Sequence, residues 1–323
     1  MPSSTTTDVT TPPDSMPCPD EEPAPPVHHR LARSWPQYRW WKPLLGLVLS
    51  AVIYAVGGFV LMVAVLLSLL IRDPDAEFPA TLDVYDPWGF TLIFGTVALM
   101  LPALLLGFRL AGCRPVGLLS SVAGRLRWTM MARCLVPAVV AAAGMAAVSA
   151  WAQLGEGGAR QMGLQVPWPM LLLALVLVPM QAAAEEYIFR GALMQTLGAW
   201  LKHPGWAILL PVPLFVLGHD YDLPGQLAIA VFALGTAWIT WRTGGLEAAI
   251  ALHVVNNLAV SLLGFGGIGD LAATEVGWPV ALADAAAVAA FVLWVEQRIV
   301  RARTVSPASR AGSLDSPGRP GGR

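Results

Sequence analysis

The stretch that decides the fold runs from Val166 to Leu201 and reads VPWPMLLLALVLVPMQAAAEEYIFRGALMQTLGAWL. A helix that crosses a bilayer needs roughly 20 apolar residues, and this stretch is long enough. Its charged residues are Glu185, Glu186 and Arg190. A charged side chain inside the bilayer costs at least about 2.5–3.5 kcal/mol on insertion scales, so these three residues require an explanation. Pro179 can kink the helix, which leaves their depth in the membrane open.

The rest of the chain has the same apolar character. Of its 323 residues, 56% are hydrophobic and 13% are charged, and the mean hydropathy is +0.61. A soluble domain carries roughly a quarter charged residues, so too few remain here to cover a water-soluble globule. The sequence therefore predicts an all-α, polytopic transmembrane helical bundle. About eight candidate spans are approximately Leu44–Ile71, Trp88–Gly107, Trp128–Trp151, Val166–Ala184, Trp206–Gly218, Gln226–Trp241, Leu246–Leu263 and Trp278–Val295.

Three segments outside these spans have a different composition. Residues 1–36 are rich in Pro, Ser, Thr and Asp, and residues 304–323 in Pro, Gly, Ser and Arg. Both are predicted to be disordered cytoplasmic tails of a transmembrane domain over residues 37–303. Between the second and third spans, Pro115–Trp128 carries leucines at helical spacing beside arginines. This pattern is typical of an amphipathic helix on the membrane surface.

Charged residues predict the orientation of the bundle. Lysine and arginine precede the first span, follow the last and occupy every second connection, while acidic residues occur in the other connections, so the alternation is nearly clean. The positive-inside rule then places both termini in the cytoplasm. Many Ala, Arg, Gly and Pro residues are compatible with a high-GC bacterial source, so we expect a bacterial cytoplasmic membrane. The net charge of −1 gives no indication of a nucleic-acid partner.

The two adjacent glutamates point in different directions on a helix. Glu186 and Arg190 are four residues apart and can pair on one face. Glu185 is rotated by about 100° from Glu186, so it faces elsewhere and is a candidate general base. The alternative is an intramembrane ion pair that only holds two helices together.

Two histidines and an asparagine add polar groups to other apolar spans. His219 and His253 lie within or at the end of spans, whereas His28 and His29 fall in the predicted tail. His253 and Asn257 are four residues apart and share a helix face. An imidazole and a carboxamide side by side can donate hydrogen bonds to one oxygen, as in an oxyanion hole. The alternative is that both side chains only join helices by hydrogen bonds.

The metal requirement stays open at this level. The H-E-x-x-H signature and the G-x-S-x-G elbow are both absent from the sequence. Glu185, His219 and His253 can in principle hold zinc. Without a metal, Glu185 and His219 can together activate a water. The three cysteines show neither metal-ligand spacing nor a disulfide framework.

Three short segments occur in a characteristic order. They are EEYIFRGAL at 185–193, FVLGH at 215–219, and TGGL at 243–246 followed by HVVNN at 253–257. They resemble the E-E-x-x-F-R-G-x-L, F-x-x-x-H and T-G-x-L…H-x-x-x-N motifs of the CPBP family. These are intramembrane peptidases of the CAAX-protease and bacteriocin-processing type, also called Abi proteins. The resemblance covers roughly residues 117–264, about half of the chain.

The resemblance implies a fold and a set of roles. The fold would be an eight-helix bundle with a conical cavity open towards the cytoplasm. Glu185 and His219 would activate the attacking water, and His253 and Asn257 would stabilise the oxyanion. The remaining motif residues, Glu186, Arg190 and Phe215, would order the site. Metal dependence is disputed within the family, and we expect a glutamate-dependent mechanism without a metal or other cofactor.

Two acidic residues do not follow from the motifs. Glu247 stands where an aromatic residue is expected after T-G-x-L, and we expect it to be interfacial and not catalytic. Asp284 lies in the last span and is expected to face a water-filled side of the bundle.

Three functions are compatible with the pattern. The first is an endopeptidase that cleaves a membrane-associated, optionally lipidated, peptide substrate. The second is a non-catalytic scaffold or bacteriocin-immunity-type protein of the same fold, which loss of a catalytic residue would favour; none is missing. The third is a transporter, since intramembrane carboxylates also mark ion pathways, but no inverted repeat supports it.

Overall fold

The computed structural model describes residues 27–74, 82–155 and 168–301. Over these ranges the chain is all-α, and seven of its helices are long and apolar enough to cross a membrane. The prediction of an integral membrane helical bundle is therefore confirmed. The helices are α1 Lys42–Arg72, α2 Pro87–Leu110, α3 Trp128–Gly155, α4 Trp168–Glu186, α5 Met194–Trp200, α6 Pro204–Leu209, α7 Pro211–Leu217, α8 Leu223–Thr243, α9 Glu247–Phe265 and α10 Trp278–Val295.

The span predicted at Trp206–Gly218 differs from the other spans. It forms two short helices, α6 and α7, which meet at Leu210 and Pro211. The apolar segment Pro204–Leu217 rises about 20 Å as a helix, less than the roughly 30 Å hydrocarbon core. The described bundle thus has seven full-length spans and one short, broken segment, which ends beside His219.

The packing of the helices brings the motif segments together. Helix α4 packs between α2 and α9. On the other side of α9, helix α3 packs against α9 and α10, and α10 packs against α8. Helix α7 packs against α8. Between α4 and α5 the helix continues through a π-helical turn, Tyr187–Leu193. Turns of this kind are rare and frequently occur at functional sites.

The N-terminal prediction is wrong for residues 27–36. His28–Ser34 form a 3₁₀ helix that packs against α5, with His28 and His29 buried. The segment lacks the apolar periodicity of a span, but it is held by long-range hydrogen bonds. One of them runs from Arg33 to the carbonyl of Ala199. Residues 1–26 and 304–323, also predicted as tails, lie outside the described residues.

The prediction of an amphipathic helix over Pro115–Trp128 is also wrong. Only Val116–Leu119 is helical, as a 3₁₀ turn. The following residues form a strap, residues 120–127, that pairs with the T-G-G-L turn. Ser121 forms an antiparallel bridge with Gly245, and the carbonyl of Ser120 accepts from the backbone N–H of Leu246. These backbone hydrogen bonds replace those that a helix would have made.

Candidate active site

The end of α4 carries a buried ion-pair network. Glu186 is 0% exposed, and its Oε1 accepts from Nδ1 of His253 at 2.8 Å and from Nη1 of Arg190 at 3.2 Å. Because a guanidinium also donates to it, this carboxylate is an acceptor, and the imidazole must carry its proton on Nδ1. The pair with Arg190 is the intramembrane ion pair predicted from the spacing.

Arg190 connects three elements of the bundle. Its Nη2 donates to the carbonyl of Ala233 in α8 at 3.2 Å, and its guanidinium lies 4.4 Å from the ring centroid of Phe215 in α7. The side chain is fully buried, and its charge is balanced by Glu186. A buried charge held in this way orders the side chains around it.

Glu185 lies on the other side of the helix, as expected. Its Oε1 accepts a hydrogen bond from Nε2 of Gln181 at 2.6 Å. Its Oε2 lies 3.6 Å from Nε2 of His253 and has no hydrogen-bond partner within the described part of the chain. A carboxylate oxygen that is buried and free to accept a proton is what a general base requires.

His219 lies at the end of α7, beside the same cluster. Its Nδ1 donates to the carbonyl of Phe215 at 2.8 Å, so the neutral ring has its lone pair on Nε2. The ring centroid of Phe215 is 4.8 Å from that of His219 and 6.3 Å from that of His253. His219 and His253 therefore both contact the ring of Phe215.

Asn257 completes the group of predicted site residues. It lies one turn after His253 on α9, and its Nδ2 donates to Oε1 of Gln181 at 3.0 Å. His253, however, uses Nδ1 for Glu186, so its Nε2 can also donate only when the ring is protonated. The two side chains predicted for the oxyanion site, His253 and Asn257, are thus both hydrogen-bonded to residues of α4, namely Glu186 and Gln181.

Three residues outside the predicted set contact the site or its supports. Gln181 joins Glu185 to Asn257, and its position one helical turn before Glu185 is a signal that was available in the sequence. His28 donates from Nε2 to the carbonyl of Arg190 at 3.0 Å, which no local pattern indicates. Arg127, in the strap, binds Glu247.

Glu247 is buried at the start of α9, and it is paired with a cation. Its Oε2 lies 2.6 Å from Nη2 of Arg127, and its Oε1 accepts from Nε and from the backbone N–H of the same residue. The guanidinium also donates to the carbonyl of Thr243. This pair joins the strap to the start of α9, so Glu247 has a structural position at one end of the bundle.

Asp284 is half-buried in α10, near Tyr221. Tyr221 precedes α8, and its ring stacks at 6.2 Å on that of His219. Burial raises the pKa of Tyr221, and the charges of Asp284 and Glu185 act in the same direction. Asp284 therefore lies close enough to Tyr221, beside His219, for its charge to act on the Tyr221 hydroxyl.

The residues that could hold a metal ion are Glu185, His219 and His253. Over the three described ranges, no group of three or more His, Cys, Asp and Glu side chains is arranged to hold a metal ion. The zinc set that the sequence allowed, Glu185, His219 and His253, is therefore not assembled as ligands. Nδ1 of His253 bonds to Glu186 and Nδ1 of His219 to a backbone carbonyl, which leaves Nε2 of each ring without a bond to these partners.

Similarity to known proteins covers this part of the chain. Residues 166–259 match the family described as type II CAAX prenyl endopeptidase Rce1-like. The match confirms the resemblance to the CPBP family, and it contains every predicted site residue from Glu185 to Asn257.

A particular relative is the uncharacterized protein YyaK of Bacillus subtilis (strain 168). It is 33% identical over 124 residues, which cover 34% of this chain and 41% of that protein. The chain thus spans about two fifths of the length of the curated relative that it matches. No solved structure shows a significant match.

Proposed function

We propose that this protein is an intramembrane endopeptidase that hydrolyses a peptide bond in a membrane-associated substrate, with Glu185 and His219 activating the water. The observation that carries the proposal is the geometry of Glu185. One carboxylate oxygen is held by Gln181, while the other is buried, free to accept a proton and 3.6 Å from Nε2 of His253. The match to an endopeptidase family supports the same reaction class.

The residues suggest an order of steps. Glu185 Oε2, assisted by Nε2 of His219, accepts a proton from water as its oxygen attacks the peptide carbonyl carbon. Asn257 and a protonated His253 donate hydrogen bonds to the oxyanion of the tetrahedral intermediate. The carbon–nitrogen bond then breaks, and the transferred proton goes to the leaving amine. One water and one peptide bond yield one carboxyl group and one amine.

The surroundings of the site support roles for the other motif residues. Glu186 fixes the orientation of His253 and is itself held by Arg190. Phe215 packs between Arg190 and the rings of the two histidines. The mechanism that we propose uses no metal and no other cofactor, in line with the expectation that accompanied the resemblance to the CPBP family.

The substrate is proposed only by class. It is a peptide or protein in the bilayer or anchored to it, and a lipid-modified peptide is one option. The basic ends of the helices are proposed to face the cytoplasm, with cleavage near that side. The orientation is supported by the distribution of Lys and Arg, and the substrate class by the description of the matching family.

Comparative membrane proteomics tests the function directly. Membranes from cells with the wild-type protein should contain cleaved peptides that are absent with Glu185→Ala and with His219→Ala. If both variants retain full cleavage, the mechanism is wrong. If wild-type and variant membranes are identical in cleavage while a partner still binds, the protein acts as a scaffold of the same fold. Proton-coupled flux in proteoliposomes that Glu185→Gln abolishes would instead indicate a transporter.

A further inference from the structure

We propose that Gln181 is a positioning residue that holds the carboxylate of Glu185 and the carboxamide of Asn257 in one hydrogen-bonded row. The inference rests on the proposed function, because it concerns the same base and the same oxyanion donor. It assigns a role to a residue that belongs to none of the three sequence motifs.

The side chain of Gln181 contacts two site residues from one position. It lies one turn before Glu185 on α4 and is 7% exposed. Nε2 donates to Oε1 of Glu185 at 2.6 Å, and Oε1 accepts from Nδ2 of Asn257 at 3.0 Å. Both ends of the carboxamide are therefore used, and both partners belong to the proposed catalytic group.

The direction of this row follows from the carboxylate. An ionised carboxylate only accepts hydrogen bonds, so the amide nitrogen of Gln181 must face Glu185, and its oxygen must face Asn257. Asn257 in turn must offer an N–H, which turns its Oδ1 towards Nδ2 of Asn256 at 3.5 Å. The amide orientations, which are otherwise assigned from hydrogen-bond networks, are thus determined by the charge of Glu185.

This row has a consequence for both catalytic functions. With Oε1 engaged, Glu185 presents Oε2 towards the attacking water and His253. With one N–H engaged, Asn257 retains its second N–H for the oxyanion. Gln181 therefore sets the distance between the base on α4 and the donor on α9. Misplacing a reacting group by about 1 Å can reduce the rate about a hundredfold.

A purely structural role is the competing explanation. Polar side chains in membrane helices also join neighbouring helices, and Gln181 does connect α4 with α9. Gln195 provides a matched comparison, since it is 1% exposed and donates to the carbonyl of Leu118 at 2.8 Å without contacting the site. Gln181→Met loses two hydrogen bonds and Gln195→Met loses one, because Oε1 of Gln195 has no partner among the described residues, so both should lower the melting temperature, but only Gln181→Met should affect turnover.

The test compares Gln181→Met with Gln195→Met, since methionine has a similar length but no amide. The probe is a fluorogenic peptide that spans a cleavage site found in the proteomic comparison with Glu185→Ala. We expect kcat of Gln181→Met to fall at least about tenfold with KM within about twofold of the wild type, and Gln195→Met to keep its kcat. Equal losses of kcat and of melting temperature in both variants would overturn the inference.

The substitution Gln181→Glu tests the hydrogen bond donated to Glu185 separately from the packing of the side chain, because glutamate has nearly the same size as glutamine. The new side chain keeps the acceptor for Asn257, but when ionised it cannot donate to Glu185 and repels it. We expect the activity of this variant relative to the wild type to rise as the pH falls, because a protonated carboxyl group can donate again. A relative activity that does not depend on pH would contradict the proposed hydrogen bond.

An infrared measurement tests the inference without a substrate. The Glu185 carboxylate bands are assigned from the difference between wild-type and Glu185→Gln spectra. They should shift in Gln181→Met and remain in place in Gln195→Met, because only the first variant loses the donor to Oε1. Unshifted bands in Gln181→Met would overturn the inference. Full cleavage by Glu185→Gln, with shifted bands in Gln181→Met, would overturn the proposed function and leave the positioning contact standing.

Discussion

His253 donates from Nδ1 to Oε1 of Glu186 over 2.8 Å, and both side chains are buried inside the bundle. The same carboxylate oxygen accepts from Arg190, so one oxygen holds a candidate oxyanion donor and a buried cation. Glu186 therefore affects both the stability of the protein and the orientation of its site. Its neighbour Glu185, with one carboxylate oxygen that has no hydrogen-bond partner among the described residues, is expected to affect the reaction more than the stability.

The first prediction concerns the loss of this negative charge. Glu186→Gln should lower the melting temperature in detergent and abolish cleavage, because Arg190 becomes a buried charge without an anionic partner. Breaking a buried pair in this way costs about 3–5 kcal/mol of unfolding free energy.

The control is Glu296→Gln, which breaks the partly exposed pair with Arg242 at the end of α10. Such pairs contribute about 0–1 kcal/mol, so we expect a small change in melting temperature and unchanged cleavage. Equal destabilisation by both substitutions would contradict the buried network.

The second prediction concerns the close contact at Gly245. A Cβ atom at this position would clash with the Glu247 carboxylate, the Arg127 guanidinium and the side chain of Ser121. Gly245→Ala should therefore lower the free energy of unfolding by about 1–3 kcal/mol, as overpacking does. The measurement is thermal unfolding in detergent, followed by circular dichroism.

Gly144→Ala in α3 is the matched control for this substitution. Nothing lies within 4 Å of a Cβ atom at this position, and alanine is favoured over glycine in a helix by about 0.5–1 kcal/mol. Gly144→Ala should thus be neutral or slightly stabilising. If Gly245→Ala leaves the free energy of unfolding unchanged, the strap does not pack against the T-G-G-L turn as described.

The third prediction is a pH dependence of stability that comes from His28. Burial lowers its pKa from 6.5 to about 4, and the charges of Glu247 and Arg127 act on it in opposite directions. Because the unfolded chain binds the proton more readily, the contribution to stability is present above pH 6.5. It is lost as the pH falls towards 4, at about 1.4 kcal/mol per pH unit.

His28→Gln provides the comparison, since glutamine keeps an N–H donor for the carbonyl of Arg190 but does not titrate. The melting temperature of the wild type should fall relative to that of this variant as the pH is lowered from 7 to 4, because only the wild type has to bury a group that takes up a proton. If the two curves stay parallel over this range, His28 is not buried in the neutral form.

The fourth prediction concerns orientation in the membrane. The three native cysteines, Cys18, Cys113 and Cys134, are first replaced by alanine. Lys202→Cys then places an exposed thiol at one end of the bundle, and Asp270→Cys, in a second variant, places one at the other end. A membrane-impermeant maleimide should label position 270 in intact bacterial cells and position 202 only after permeabilisation. The reverse pattern would contradict the positive-inside assignment.

The sequence alone determined the fold class and the residues of the motif cluster. Inside a bilayer the backbone N–H and C=O groups of a long apolar run must be hydrogen-bonded within the segment, as they are in an α-helix. The all-α bundle could therefore be predicted. Spacings of four residues on one helix placed Glu186 beside Arg190, and His253 on the face of Asn257. Such local periodicity does not depend on how the helices pack.

Only the tertiary structure decided which groups meet across helices. The bond between Glu186 and His253 joins α4 to α9, the bond from His28 to the carbonyl of Arg190 joins residues 162 positions apart, and Glu247 is paired with Arg127. Each depends on helix packing and on the backbone course of the strap and of the N-terminal 3₁₀ helix. Partners far apart in the sequence leave no local periodic signal, so a buried polar residue is recognisable in the sequence while its partner is not.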